Sequence, residues 1–186
     1  ENLGENMMTL KRPAEAESLY RQSLTCFKND KNPECYFRRL DFLCDFYCDP
    51  KRAKEGKNFY KAELADLDRR FGSESPWSAN FLNQQGRFAM KTKDYALAES
   101  TFRRLAAMSS KLPGGAPNRA ATQNGLAVAL FKQGKCDQAA SCFKQAISIL
   151  EGANMKEQAQ TVKLNYADCL EKLGKVREAS ELRKQK

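Results

Sequence analysis

The chain of 186 residues contains no histidine. That removes Ser-His-Asp and Cys-His nucleophilic sites, HExxH zinc sites and any imidazole general base. Tryptophan occurs once, and proline only six times. No apolar run approaches the roughly 20 residues a membrane-spanning helix needs. The opening residues ENLGENMMTLKR are polar and lack the apolar core of a secretory leader. No CxxC pair occurs among the seven cysteines, Cys26, Cys35, Cys44, Cys48, Cys136, Cys142 and Cys169. Without histidine they cannot complete a mixed zinc site, and an odd number cannot pair fully. Buried thiols acting as small hydrophobes are the simplest reading. They point to a reducing compartment such as the cytoplasm, with the periplasm or a secreted location as the alternative. No enzyme activity, metal or cofactor is expected.

What is abundant is charge: 32 Lys and Arg against 23 Asp and Glu, a net charge of +9. Its distribution is uneven. Residues 1–50 are net −2 and residues 51–100 net +3, whereas residues 101–150 carry seven basic side chains against Asp137 alone. Such a basic stretch suits either a solvated face or the attraction of an acidic peptide, a membrane surface or nucleic acid.

A repeat organises the chain. KRPAEAESLYRQSL (11–24) aligns with KRAKEGKNFYKAEL (51–64), and the same shape returns in KDYALAESTFRRLA (93–106), KCDQAASCFKQAI (135–147) and KVREASELRKQ (175–185). A small residue marks each: Ala16, Gly56, Ala98, Ala139 and Ala179, at intervals of 40, 42, 41 and 40. Twelve residues before each stands a second small residue: Gly4, Cys44, Gly86, Ala127 and Ala167. Four residues after the first set come Tyr20, Tyr60, Phe102 and Phe143, while the fifth unit carries Arg183. Small residues on both arms of a helical hairpin let the helices approach closely, and the aromatic fills the space against the next hairpin. A hairpin alone leaves an apolar face uncovered, so the units must stack. Apolar residues recurring at three and four predict helix throughout. Asn32-Pro33, Asp49-Pro50 and Ser75-Pro76 read as helix starts, Gly134 and Gly174 as helix ends, and Pro113 to Pro117 as an inter-repeat loop.

On these residues the chain resembles a tetratricopeptide repeat protein, and its period of 40 to 42 is similar to the long repeats of kinesin light chains. Phe71 to Ala79 and Leu112 to Ala120 resemble the Leu-Gly-x-x-x-Pro-x-Val-Ala linker of that branch. The resemblance implies an all-α fold, a right-handed superhelical α-solenoid of stacked antiparallel helical hairpins. It predicts one repeat domain over 1–186, with units near 1–31, 32–72, 75–112, 116–152 and 154–186, belonging to a longer protein. It also implies a peptide bound along the concave wall built from the first helix of each unit, its backbone held by asparagines. A side-chain amide offers a donor and an acceptor, which matches a peptide group.

Asn83 and Asn124 each stand three before the small residue; Asn165 stands two before Ala167. Arg87 and Asp168 follow the small residue directly and are expected on the same wall. Lys91, Lys132 and Lys172 recur five after it and are expected to form a basic row along one rim, suited to acidic side chains of a bound segment. The function expected is a non-catalytic protein–protein interaction scaffold binding a peptide segment of a partner in the concave groove. The alternatives are a self-assembling structural repeat module, a homo-oligomer built end to end, or binding of an acidic ligand or nucleic acid through the basic face. RNA recognition is the weakest of these, because most aromatics fit hairpin packing instead of exposed stacking platforms.

Overall fold

A computed structural model describes residues 13–28, 33–109 and 115–184. Gly4, Asn32 and the linker residues Leu112 to Gly114 lie outside the described residues. The described secondary structure is helical: α1 (Pro13–Phe27), α2 (Pro33–Tyr47), a short 3₁₀ turn (Pro50–Arg52), α3 (Ala53–Phe71), α4 (Pro76–Lys91), α5 (Tyr95–Ser109), α6 (Gly115–Lys132), α7 (Cys136–Gly152), α8 (Lys156–Lys172) and α9 (Val176–Lys184). The fold is all-α, of the helical-repeat solenoid class. Two compact units divide it, one ending at Phe59 and the other beginning at Tyr60, with the boundary inside α3.

Local chemistry starts and ends the helices. Ser75 caps α4, its hydroxyl accepting from the Ser78 backbone N–H at 3.1 Å, and Pro76 occupies a position that needs no donor. The buried Ser78 hydroxyl donates in turn to the Gly72 carbonyl at 3.0 Å. Asp49 caps the 3₁₀ turn in the same manner, accepting from Lys51. One expected boundary moves. Gly115, Ala116 and Pro117 form the first turn of α6 instead of a loop. First-turn N–H groups have no partner within the helix, so proline costs nothing there.

The turns within hairpins share one geometry. Lys135 donates to Leu130 across the turn at 3.0 Å and Lys175 to Leu170 at 2.9 Å, with Gly134 and Gly174 in the left-handed region at φ +79° and +76°. In the preceding hairpin, Asp94 donates to Ala89 at 2.9 Å, but the left-handed position is Lys93, at φ +61°. This is a Schellman ending with a lysine in glycine's place.

In the N-terminal compact unit, Tyr20 stacks on Phe42 of α2 at 5.0 Å and 10°. Glu17 gathers the polar contacts, accepting from the Tyr47 hydroxyl and from Arg21 and Arg52. Burial together with the bond to Glu17 pushes the Tyr47 hydroxyl up to about 12.

In the second unit the hairpins α4/α5, α6/α7 and α8/α9 each pack against the next, and the inner helix α6 also touches α4 and α8. Ala98, Ala127, Ala139, Ala167 and Ala179 are fully buried. Each outer-helix aromatic reaches the inner helix of the following hairpin. Tyr60 lies 5.2 Å from Phe81 and 4.8 Å from Phe88, and Phe143 lies 6.0 Å from Tyr166. Phe102 enters differently, its ring lying between two glycines. A Cβ on Gly86 would stand 2.6 Å from Cζ of Phe102, and one on Gly125 would stand 2.7 Å from it.

Two outcomes follow from this packing. In Gly125→Ala, the helix-propensity gain of about 1 kcal/mol is outweighed, because the ring is held on its other side by Gly86 and cannot swing away. A net loss of roughly 1–3 kcal/mol is expected, seen as a lowered Tm. Lys93→Gly should act oppositely, raising stability by a few tenths to about 1 kcal/mol through relief of the left-handed lysine. Urea titration of both variants beside the parent protein measures these shifts.

Candidate functional site: the wall of inner helices

The inner helices α4, α6 and α8 each place their candidate residues on one face. On α4, Asn83, Arg87 and Lys91 are spaced by four and all three are exposed. Asn83 makes no side-chain hydrogen bond among the described residues, while Arg87 donates to Gln84 at 3.1 Å. On α6, Asn124 is half-buried and Lys132 exposed, with half-buried Val128 between them. The Asn124 Oδ1 is buried with no hydrogen-bond partner, and so is the Oε1 of its neighbour Gln123. A buried acceptor without a donor costs roughly 1–3 kcal/mol, so each such atom needs an explanation.

On α8 the arrangement differs from the sequence expectation in two respects. Asn165 is half-buried, and the residue three before Ala167, matching Asn83 and Asn124, is Leu164. Leu164 is 46% exposed, an uncommon state for a large apolar side chain on a hairpin face. Asp168 is not a free acid on the wall. Arg183 of α9 holds it at 2.7 Å and also pairs with Glu171, and these two carboxylates push the Arg183 guanidinium pKa up. Arg183 stands at the repeat's aromatic position, and instead of entering a following hairpin it folds back onto α8.

The lysines at the inner-helix ends divide along similar lines. Lys91, Lys132 and Lys172 are exposed and have no carboxylate partner among the described residues. Lys132 and Lys172 converge on one ring: their Nζ atoms lie 5.8 Å and 4.8 Å from the centre of half-buried Phe131. Sequence reasoning did not single out Phe131, because nothing in its spacing reveals that the next repeat's lysine reaches it.

Three other basic residues of the charged stretch, Arg103, Arg104 and Lys135, are held by carboxylates. Arg104 holds Asp68 through contacts of 2.7 and 2.8 Å. Glu99 of α5 collects Lys135 at 2.7 Å, Gln133 at 2.9 Å and Arg103 at 2.9–3.0 Å. Gln133 also donates to the carbonyls of Tyr95 and Ala129. The Lys135 ammonium above all, with Gln133 and Arg103, holds the Glu99 carboxyl down to about 2, against the opposing effect of its burial. This cluster is a seam between α5 and the α6–α7 turn.

Among the described residues, no group of three His, Cys, Asp or Glu side chains could hold a metal ion, and no helix is long and apolar enough to cross a membrane.

The folded pKa of Glu99 lies below its ordinary 4.5. The linked stability is therefore complete above about pH 4.5 and is lost as pH falls toward 2. Glu99→Gln removes the titration. The gap in Tm between parent and variant should be widest at neutral pH and close steadily between pH 4.5 and 2; a gap independent of pH would show that the seam does not act through the carboxylate.

Residues 77–152 match the model of the tetratricopeptide repeat family. No curated protein is similar to the chain at a significant level. Three of the solved structures that share its fold illustrate the likeness. A single-substitution variant of a kinesin light chain-type protein from Podosopora anserina, with nearly identical TPR-like repeats, is 20% identical; the alignment covers 99% of this chain and 89% of that one at a TM-score of 0.77. The unsubstituted protein gives 19%, 97%, 88% and 0.75. BtubC (BKLC) from P. vanneervenii is 18% identical over 97% of this chain and 74% of its own, at 0.77.

Proposed function

We propose that this chain, which is a tetratricopeptide repeat protein, is a non-catalytic scaffold that binds an extended peptide segment of a partner along the wall of α4, α6 and α8. Tetratricopeptide repeats are in general protein–protein interaction scaffolds, and the peptide, its path and its chemistry are the part proposed. The observation that carries the reading is the unpaired, buried acceptor pair on α6, Gln123 Oε1 and Asn124 Oδ1. A peptide N–H laid across the wall supplies a donor once the Asn124 amide turns outward to meet it, and Asn83 one repeat earlier offers the same group, exposed and unengaged. Leu164 at the third matching place adds an apolar contact. The unpaired Lys91, Lys132 and Lys172 favour acidic side chains on the segment, contributing more to its capture and orientation than to final affinity. The repeat units named from the sequence form the proposed single domain.

Panning a random peptide library on the intact protein should enrich acidic sequences with an apolar residue. Asn83→Ala/Asn124→Ala should weaken the selected peptides about tenfold or more, equivalent to 1.4 kcal/mol. Asn124→Ala alone should hold or raise Tm in the free protein, because it deletes an unpaired buried acceptor. Affinity falling while stability does not is the signature of a residue kept for binding. Peptides that bind the double variant equally well would place the ligand elsewhere.

A further inference from the structure

Beyond peptide binding, one pair of cysteines bridges two hairpins away from the wall. Cys169 is fully buried on α8, and its thiol donates to the backbone carbonyl of Cys136 at 3.3 Å. The residue whose carbonyl accepts this bond carries a thiol of its own, close enough to act electrostatically on the Cys169 thiol. Cys136 is the first residue of α7 and is partly exposed. The two sulfurs thus come from different hairpins, 33 residues apart in the chain. Three residues beyond Cys169 stands Lys172, at the end of the proposed peptide-binding wall.

We propose that Cys136 and Cys169 form an oxidation site: peroxide converts them to a disulfide that ties the start of α7 to the end of α8. Accessibility fixes the order. Burial, with the nearby Cys136 thiol and Asp137, pushes the Cys169 thiol up to about 11 against the opposing Lys172, so Cys169 stays protonated and hidden at neutral pH. Cys136 is the sulfur an oxidant reaches. Its thiolate attacks one oxygen of hydrogen peroxide. The S–O bond forms, the O–O bond breaks, and the departing hydroxide takes a proton to become water. The Cys169 sulfur then attacks the Cys136 sulfenic acid. The S–S bond forms, the S–O bond breaks, and the hydroxide leaves as water with the Cys169 proton. Two thiols lose two electrons, and one peroxide becomes two waters. Neither sulfur contributes to the peptide-binding wall, so the site stands whether or not a peptide binds there.

The test is peroxide titration of the full chain, followed by peptide mapping without reductant. Trypsin leaves Cys136 and Cys142 together in peptide 136–144, so Cys142→Ser is mapped beside the parent protein. The expected product joins 136–144 to 164–172, lighter by two hydrogens, in both proteins. The oxidised form should melt higher by roughly 5 °C or more and return on reduction, since the link closes a loop of tens of residues. In Cys169→Ala the Cys136 sulfenic acid has no resolving thiol and should go on to sulfinic acid. If that variant does not fold, the map of the parent protein decides alone. Cys136 recovered as sulfinic acid with Cys169 a free thiol, Cys136 joined to any other cysteine, or no reaction at Cys136 would each overturn the proposal.

Discussion

The structure depends on one contact repeated with variations: an aromatic ring from the outer helix of a hairpin set against the inner helix of the next. Tyr20 meets Phe42, Tyr60 meets Phe81 and Phe88, and Phe143 meets Tyr166. Phe102 achieves the same end against bare backbone, between Gly86 and Gly125. The buried alanines matter because they bring the helices close enough for each ring to be covered from several sides. A hairpin without this neighbour would leave a large ring in water, which is why the fold is made of stacked copies.

That contact also decides what the inner helices can present. With one stripe of each committed to the rings, the remaining face of α4, α6 and α8 is where polar side chains collect at fixed spacing. The ion pairs along the seams hold several of the basic side chains against carboxylates. Arg103 and Lys135 are spent on Glu99, Arg104 on Asp68, Arg183 on Asp168 and Glu171. The net charge of +9 is unchanged by this pairing; along the wall, the basic side chains that meet no carboxylate among the described residues are Arg87 and the lysines at the helix ends.

The packing was legible in the sequence because it is periodic. Small residues twelve apart recur in all five units, with an aromatic four later in the first four, because hairpin packing demands them, and so they can be found by alignment. What was not legible depends on a single partner far along the chain. Gly125 has no counterpart in the other units; it answers only to Phe102. Lys93 takes a left-handed turn that Gly134 and Gly174 mark openly in later hairpins. Leu164 occupies an asparagine's place, since the register at α8 is one residue from where Asn165 suggested. Phe131 is defined by a lysine 41 residues away, and Asp168 by an arginine on the following helix. Such pairings carry no period.

Arg183 gives the array an uneven texture. The interior hairpins are joined by rings whose attraction is indifferent to ionic strength as well as by ion pairs at their seams, whereas α9 sets no ring against α8 and adds to its buried Ala179 charges that are exposed to solvent. Added salt screens such charges and leaves the attraction of the rings intact. The amide protons of α9 should therefore exchange through a local opening whose cost depends in part on the counter-ions in the medium. The grip of this one helix is thus in part a property of the solution around it.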